Sequence, residues 1–142
     1  MTAAAPASGR TSRAHRLRGL AGVGFLATFA AMLATTVAAA LARAAGVDFT
    51  VPAGGETIPI PGFAVVTGVF SVVGAVIAAA LLRWSARPAA RWVWTAVSLT
   101  AISLVAPLLC GGNAATVTAL VGLHLVPAAV MIPALRWGLR AE

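Results

Sequence analysis

The chain has 142 residues and a formal net charge of +7, and 61% of its residues are hydrophobic while only 9% are charged. Soluble domains carry about 25% charged residues, so this composition excludes a soluble domain and is typical of an integral membrane protein. A basic chain can also bind nucleic acid, but these arginines flank apolar segments, as in the positive-inside pattern of membrane proteins. We therefore predict a protein of the lipid bilayer that binds no nucleic acid.

Four apolar segments are separated by arginines and turn residues, and each has a length in the range of roughly 17 to 25 residues that suits a spanning helix. They predict spans at about residues 19–42, 62–82, 92–109 and 114–135. Nine of the ten arginines then lie on one side, which the positive-inside rule assigns to the cytoplasm: Arg10, Arg13, Arg16, Arg18, Arg83, Arg87, Arg91, Arg136 and Arg140. The predicted fold is an all-α integral membrane four-helix bundle, N-in/C-in, with one long outer loop.

The chain before the first span, residues 1–18, is rich in Ala, Ser and Arg and has no apolar periodicity. We predict a disordered basic cytoplasmic tail here, followed by a membrane domain over residues 19–142. A basic segment before an apolar run also describes a secretory signal peptide, with Ala42-Arg43-Ala44 as a cleavage motif. The run is longer than the roughly 7 to 15 residues of a signal sequence, which favours a retained helix.

Small side chains recur at helical spacing in the first two spans, which predicts close helix packing. The first span has two adjacent stripes, Ala27, Ala31, Ala34, Ala38 and Ala42 beside Thr28, Met32, Thr35, Ala39 and Arg43. The second span places Thr67, Ser71, Gly74 and Ala78 on one face.

The outer loop, residues 43–61, contains several prolines and glycines, and Gly54-Gly55 predicts a turn between two short extended pieces. It also holds the carboxylates Asp48 and Glu56, with Arg43 at its start. One interpretation is an outer loop whose charges are solvated or pair with Arg43. The other is a lid over the mouth of the bundle that supplies acidic groups, because long loops in compact proteins are often functional.

The fourth span carries His124 near its centre, which helix geometry places roughly 15 Å from either face of the hydrocarbon layer. Pro127 lacks the amide that would bond the carbonyl of Leu123, and Thr116 lies towards the same helical face. An ionisable side chain at this depth is by default a functional-site hypothesis. The structural alternative is a neutral imidazole bonded to a threonine hydroxyl or a carbonyl of a neighbouring helix.

These residues are the candidate site. The catalytic candidates are Asp48, Glu56 and His124, and the ligand-binding candidates add Arg43 and Thr116. General acid/base partners must lie within about 3 Å of one another, whereas the carboxylates are in the outer loop, so we expect neither to contact His124. The lone Cys110 forms no metal-ligand pattern, and the sequence indicates no metal, no cofactor and no known catalytic motif.

Two functions remain open. The favoured one is a non-enzymatic helical bundle that binds a partner helix or an apolar small molecule. The alternative is a membrane-embedded acid/base enzyme that acts on a lipid or isoprenoid through the outer-loop carboxylates and His124. The sequence leaves the oligomeric state open, and we expect a monomer in detergent.

Several short motifs occur in a fixed order along the four spans: Gly46-Val-Asp-Phe49, Gly54-Gly55-Glu56, Ile58-Pro59, Gly62-Phe-Ala-Val-Val-Thr67, Arg87-Pro88 and His124. In this set the chain resembles domain-of-unknown-function family 6069, a family of small actinobacterial membrane proteins. The resemblance implies the four-helix architecture and a bacterial plasma membrane location. It implies no activity.

Overall fold

The computed structural model describes residues 8–50 and 56–140. Its helices are α1 (Ser8–Ala44), α2 (Ile60–Trp84), α3 (Pro88–Ser103), α4 (Val105–Leu109) and α5 (Ala114–Arg140). Four segments are long and apolar enough to cross a membrane: Thr11–Ala44, Ile60–Trp84, Pro88–Leu109 and Ala114–Arg140. The predicted all-α architecture with four membrane-spanning helices is confirmed.

Helices α1 and α5 are antiparallel neighbours. Gly24 of α1 lies against Leu135 of α5, whereas Leu20, one turn earlier in α1, lies against Gly138, which is later in α5. Helix α1 also packs along α2, and α5 packs along α3. The beginning of α1 and the end of α5 are therefore at the same end of the bundle, together with the arginine-rich turn between α2 and α3.

Small residues set the distances between the helices. A Cβ atom on Gly24 would lie 3.2 Å from the Cβ of Ala75, and one on Gly68 would lie 3.0 Å from the sulfur of Met32. The predicted face of α2 is buried at Thr67, Ser71 and Ala78. Five residues of the two predicted stripes of α1 are buried: Ala27, Thr28, Ala31, Thr35 and Ala39.

The prediction of a disordered tail up to Arg18 is wrong for residues 8–18, because α1 begins at Ser8. Alanine, leucine and arginine are strong helix formers, so the helix of the first span continues through this polar segment without an apolar stripe. The side chains from Thr11 to Arg16 are exposed. Residues 1–7 lie outside the described part of the chain.

The third span is interrupted at Leu104, between α3 and α4. Pro107 has no amide hydrogen, so the carbonyl of Ser103 lacks its usual helical partner. The hydroxyl of Ser103 donates to the carbonyl of Thr100 at 2.7 Å. The predicted span at 92–109 was continuous and did not include this break.

Trp92 is a core residue, unlike the other three tryptophans. Its side chain is 3% exposed, and its indole N–H donates to the carbonyl of Ile132 at 3.1 Å. The edge of its ring packs against Gly74, where an added Cβ atom would lie 3.3 Å from the ring. This contact joins α2, α3 and α5 at the arginine-rich end.

Candidate functional site

The outer loop folds back on the end of the bundle. Thr50 and Thr57 form an isolated antiparallel bridge, and the amide of Ile58 donates to the carbonyl of Phe49 at 3.3 Å. Arg43, at the end of α1, donates through Nη2 to the carbonyl of Ile58 at 3.0 Å. The two sides of the loop therefore pair at a single bridge, and the predicted turn at Gly54-Gly55 lies outside the described residues.

Phe49 anchors this loop. Its side chain is completely buried and packs with Ala39, Leu120 and Leu123, and its ring centroid lies 5.1 Å from that of Phe63. Its φ of +53° is in the left-handed region, which a bulky residue adopts only when its surroundings impose it. Phe49 has no predicted role, although an aromatic residue among loop prolines and glycines is a signal for such an anchor.

Asp48 is held beside α5 and is not paired with Arg43. Its Oδ1 accepts hydrogen bonds from the hydroxyl of Thr116 at 3.2 Å and from the amide of Thr50 at 3.2 Å. The amide of Thr116 in turn donates to Oδ1 of Asn113 at 2.8 Å, which caps the start of α5. The structure thus joins two sequence candidates, Asp48 and Thr116, and adds Asn113. Glu56 is exposed.

His124 bonds within its own helix. Its Nδ1 lies 2.7 Å from the carbonyl oxygen of Leu120, one turn earlier, and its side chain is half-buried. The structural alternative placed its partner on a neighbouring helix, whereas the observed partner is a carbonyl of the same helix. A carbonyl only accepts, so Nδ1 carries the hydrogen, and in the neutral ring Nε2 remains an acceptor.

The acidic and imidazole candidates lie at different depths. Asp48 is bound at the level of Thr116, and His124 follows Thr116 by eight residues, a rise of about 12 Å along α5. Asp48 and His124 therefore have separate partners and do not form one acid/base pair.

Thr35 of α1 is the unexpected polar group of the interior. The residue is 1% exposed, and its hydroxyl has no hydrogen-bond partner among the described residues. The hydroxyls of Thr28, Thr36 and Thr100 each donate to the carbonyl four residues earlier in their own helix. A buried hydroxyl without a partner costs roughly 1 to 3 kcal/mol, so this one requires an explanation.

Helix geometry places Thr35 at the depth of His124. Thr35 follows Gly24 by eleven residues and His124 precedes Leu135 by eleven, which is about three turns and about 16 Å in each helix. Because Gly24 and Leu135 are in contact and the helices are antiparallel, Thr35 and His124 belong to facing surfaces of α1 and α5 at one level. The sequence analysis placed Thr35 in a packing stripe only.

Helix α4 packs on only two of the other helices. Within the described chain, α4 packs against α3 and α5 but does not contact α2. Its apolar side chains Val105, Leu108 and Leu109 are exposed. Helices α2 and α4 are therefore not in contact with each other.

The family model described as a family of unknown function, DUF6069, matches residues 15–141. The chain belongs to DUF6069. The match covers the outer loop and the four long helices, except for the first turns of α1. No curated protein and no solved structure matches the chain. The expected family is thus confirmed, and the candidate site of this DUF6069 member has to be interpreted from its own geometry.

Proposed function

We propose that this protein is a non-enzymatic membrane protein that binds an apolar small molecule inside its bundle, with the polar end of that molecule at Thr35 and His124. The observation that carries the proposal is the buried, unpartnered hydroxyl of Thr35 at the depth of His124. A ligand that bonds this hydroxyl offsets the cost of burying it.

The two side chains favour a ligand with a hydroxyl group. Thr35 donates and accepts, whereas Nε2 of a neutral His124 only accepts while Nδ1 is occupied by the Leu120 carbonyl. A ligand hydroxyl satisfies both, since its oxygen accepts from Thr35 and its hydrogen is donated to Nε2. An isoprenoid or fatty alcohol has this chemistry, and its chain would enter from the bilayer between α2 and α4, which do not contact each other.

The enzyme alternative has no comparable support. General acid/base catalysis needs its groups within hydrogen-bond reach of one substrate. Asp48 is instead held at the outer end of α5 by Thr116, about 12 Å above His124. Its bonds to Thr50 and Thr116 support a structural role in holding the outer loop.

The same proposal includes the location of the protein. The arginines of the described chain lie at one end of the bundle, with Arg43 as the exception at the other. By the positive-inside rule, this end and both termini face the cytoplasm of a bacterial plasma membrane, and the outer loop faces outward.

The test is to purify the full chain in a mild detergent from bacterial membranes and to identify the retained small molecules by mass spectrometry. We expect the protein to retain an apolar alcohol. The variant Thr35→Val, which replaces the hydroxyl with a methyl group of similar size, should retain at least tenfold less, since one hydrogen bond of about 1.5 kcal/mol is lost.

Thr28→Val is the matched control, because Thr28 is buried on the same helix but its hydroxyl is bonded to the carbonyl of Gly24. It should retain the alcohol as the unmodified protein does. Equal retention by the two valine variants would overturn the proposal. So would purification with a stoichiometric partner protein and no small molecule, which is the outcome expected of a partner-helix function.

A further inference from the structure

Three arginines from separate elements converge at the inner end of the bundle. Arg16 of α1, Arg87 of the turn between α2 and α3, and Arg140 of α5 line one depression of about 460 Å³. All three are exposed, and none forms an ion pair within the described chain. Of the three acidic residues of the protein, Asp48 and Glu56 are at the opposite end, and Glu142 lies outside the described residues.

The start of α3 adds hydrogen-bond donors to the same depression. Arg87 gives α3 no side-chain cap, Pro88 has no amide hydrogen, and the first helical bond is made by Arg91 to the carbonyl of Arg87. The amides of Ala89 and Ala90 are therefore free, and both residues line the depression. Such amides favour an anion, because they point outward at the positive end of the helix dipole.

Ser85 completes the polar lining. Its hydroxyl oxygen accepts from the amide of Arg87 at 3.2 Å, so its own hydrogen remains available to a bound group. Three guanidinium groups, two amides and one hydroxyl are donors that match the oxygens of a phosphate group. A single carboxylate would leave most of them unsatisfied.

The apolar residues of the depression, and its position level with the helix ends, indicate that the phosphate belongs to a lipid. Leu82 and Leu139 line it beside the charged groups, and the neighbouring Trp84 is exposed at the end of α2, with Arg83 5.9 Å from its ring. Tryptophan and arginine at a helix end mark the headgroup layer. Basic pockets between helix ends at this level are known to hold anionic lipid headgroups.

We propose that Arg16, Arg87, Arg140, Ser85 and the amino end of α3 form a specific binding site for the phosphate of an anionic phospholipid. The site is at the end of the bundle opposite the outer loop and does not depend on the Thr35 and His124 ligand. It also gives a function to the polar first turns of α1, because only a helix that continues below Leu20 brings Arg16 to the depression.

The test uses the full chain in a neutral detergent at 0.15 M salt, where attraction between separated surface charges is largely screened. Phosphatidylglycerol is titrated, and the bound fraction is measured by native mass spectrometry, with phosphatidylcholine as the comparison lipid. We expect one saturable phosphatidylglycerol site. The triple variant Arg16→Gln, Arg87→Gln, Arg140→Gln should bind it roughly 100-fold more weakly, at about 1 kcal/mol per arginine.

The matched control removes the same charge from the same end of the protein. Arg13→Gln, Arg83→Gln, Arg136→Gln together should weaken binding by less than about threefold, because these residues do not line the depression. Equal losses in the two triple variants would show diffuse attraction and overturn the proposal. Inorganic phosphate that competes as strongly as the lipid would overturn the assignment to a lipid.

Thermal unfolding of both triple variants checks their folds. If the first triple variant does not fold, Arg87→Gln alone should still weaken phosphatidylglycerol binding severalfold, since Arg87 is the member next to the free amides of α3. Unchanged binding in a folded Arg87→Gln protein would also overturn the proposal.

Discussion

Phe49 determines whether the outer loop stays on the bundle. Its buried ring packs between α1 and α5 at the end of the bundle that carries the outer loop. Burial of apolar surface away from water is favourable there. We expect Phe49→Ala to lower the free energy of unfolding by about 3 kcal/mol, the usual cost of removing a buried phenyl ring. Reversible unfolding in mixed detergent micelles, followed by circular dichroism, measures it.

Phe70→Ala is the control for this prediction. Phe70 is 70% exposed on α2, in the part of the helix that faces lipid, so its ring leaves one apolar environment for another on unfolding in micelles. We expect a change below about 0.5 kcal/mol. An equal effect at both positions would contradict the anchoring role of Phe49.

His124 is expected to contribute little to stability. The Leu120 carbonyl accepts a hydrogen bond from the imidazole. In the regular α-helical pattern it also accepts one from the amide of residue 124, so it keeps a partner when the imidazole is removed. His124→Leu should therefore change the free energy of unfolding by less than about 1 kcal/mol. A loss above about 2 kcal/mol in His124→Leu would show an essential structural bond. If His124→Asn keeps its stability but loses the retained alcohol, His124 is a binding residue.

Gly24 is one of the glycines at which α1 approaches its neighbours closely. Gly24 has Ala75 and Leu135 beside the position of its missing Cβ, whereas Gly22, on the same helix, has no atom within 4 Å of that position. Gly24→Val should force the helices apart and lower the free energy of unfolding by about 1 to 3 kcal/mol. Gly22→Val has the same change in helix propensity without the clash and should lower it by much less. Similar thermal unfolding of the two variants would contradict this packing.

The sequence predicts those features of the helices that depend on the pattern of apolar residues. Runs of apolar residues locate the four spans, and the spacing of Thr67, Ser71 and Ala78 identifies the buried face of α2. Helix ends are less predictable, because residues such as Arg16 continue a helix in water by propensity and leave no apolar pattern. The break at Leu104 depends on one proline, and prolines elsewhere, such as Pro127, lie inside a continuous helix.

The candidate site was predictable only in part, for a related reason. Position in a span gives the depth of His124, but the partners of a side chain depend on the rotation of each helix and on the path of the loop. Asp48 and Thr116 are 68 residues apart in sequence and meet only because Phe49 draws the loop onto α5. Thr35 stands out from Thr28 only once the direction of its hydroxyl is known.

The orientation of the whole molecule is testable with single cysteines in a Cys110→Ser background. Glu56→Cys in the outer loop should react with a reagent that cannot cross the membrane of intact cells, because the loop is expected outside. Arg87→Cys, at the other end of the bundle, should react only after the cells are permeabilised. The reverse pattern would show that the arginine-rich end faces outward.

The burial of Trp92 makes the protein a spectroscopic reporter of its own assembly. The chain has no tyrosine, so its ultraviolet emission comes from four indoles, of which Trp84, Trp94 and Trp137 are 66 to 77% exposed and Trp92 is 3% exposed. With the exposed three replaced by phenylalanine, the remaining emission should be blue-shifted and resistant to aqueous quenchers. Separation of α3 from α5 would break the hydrogen bond from this indole to the Ile132 carbonyl, so a change in the emission maximum or in quenching of this single-tryptophan protein would time the separation of these helices.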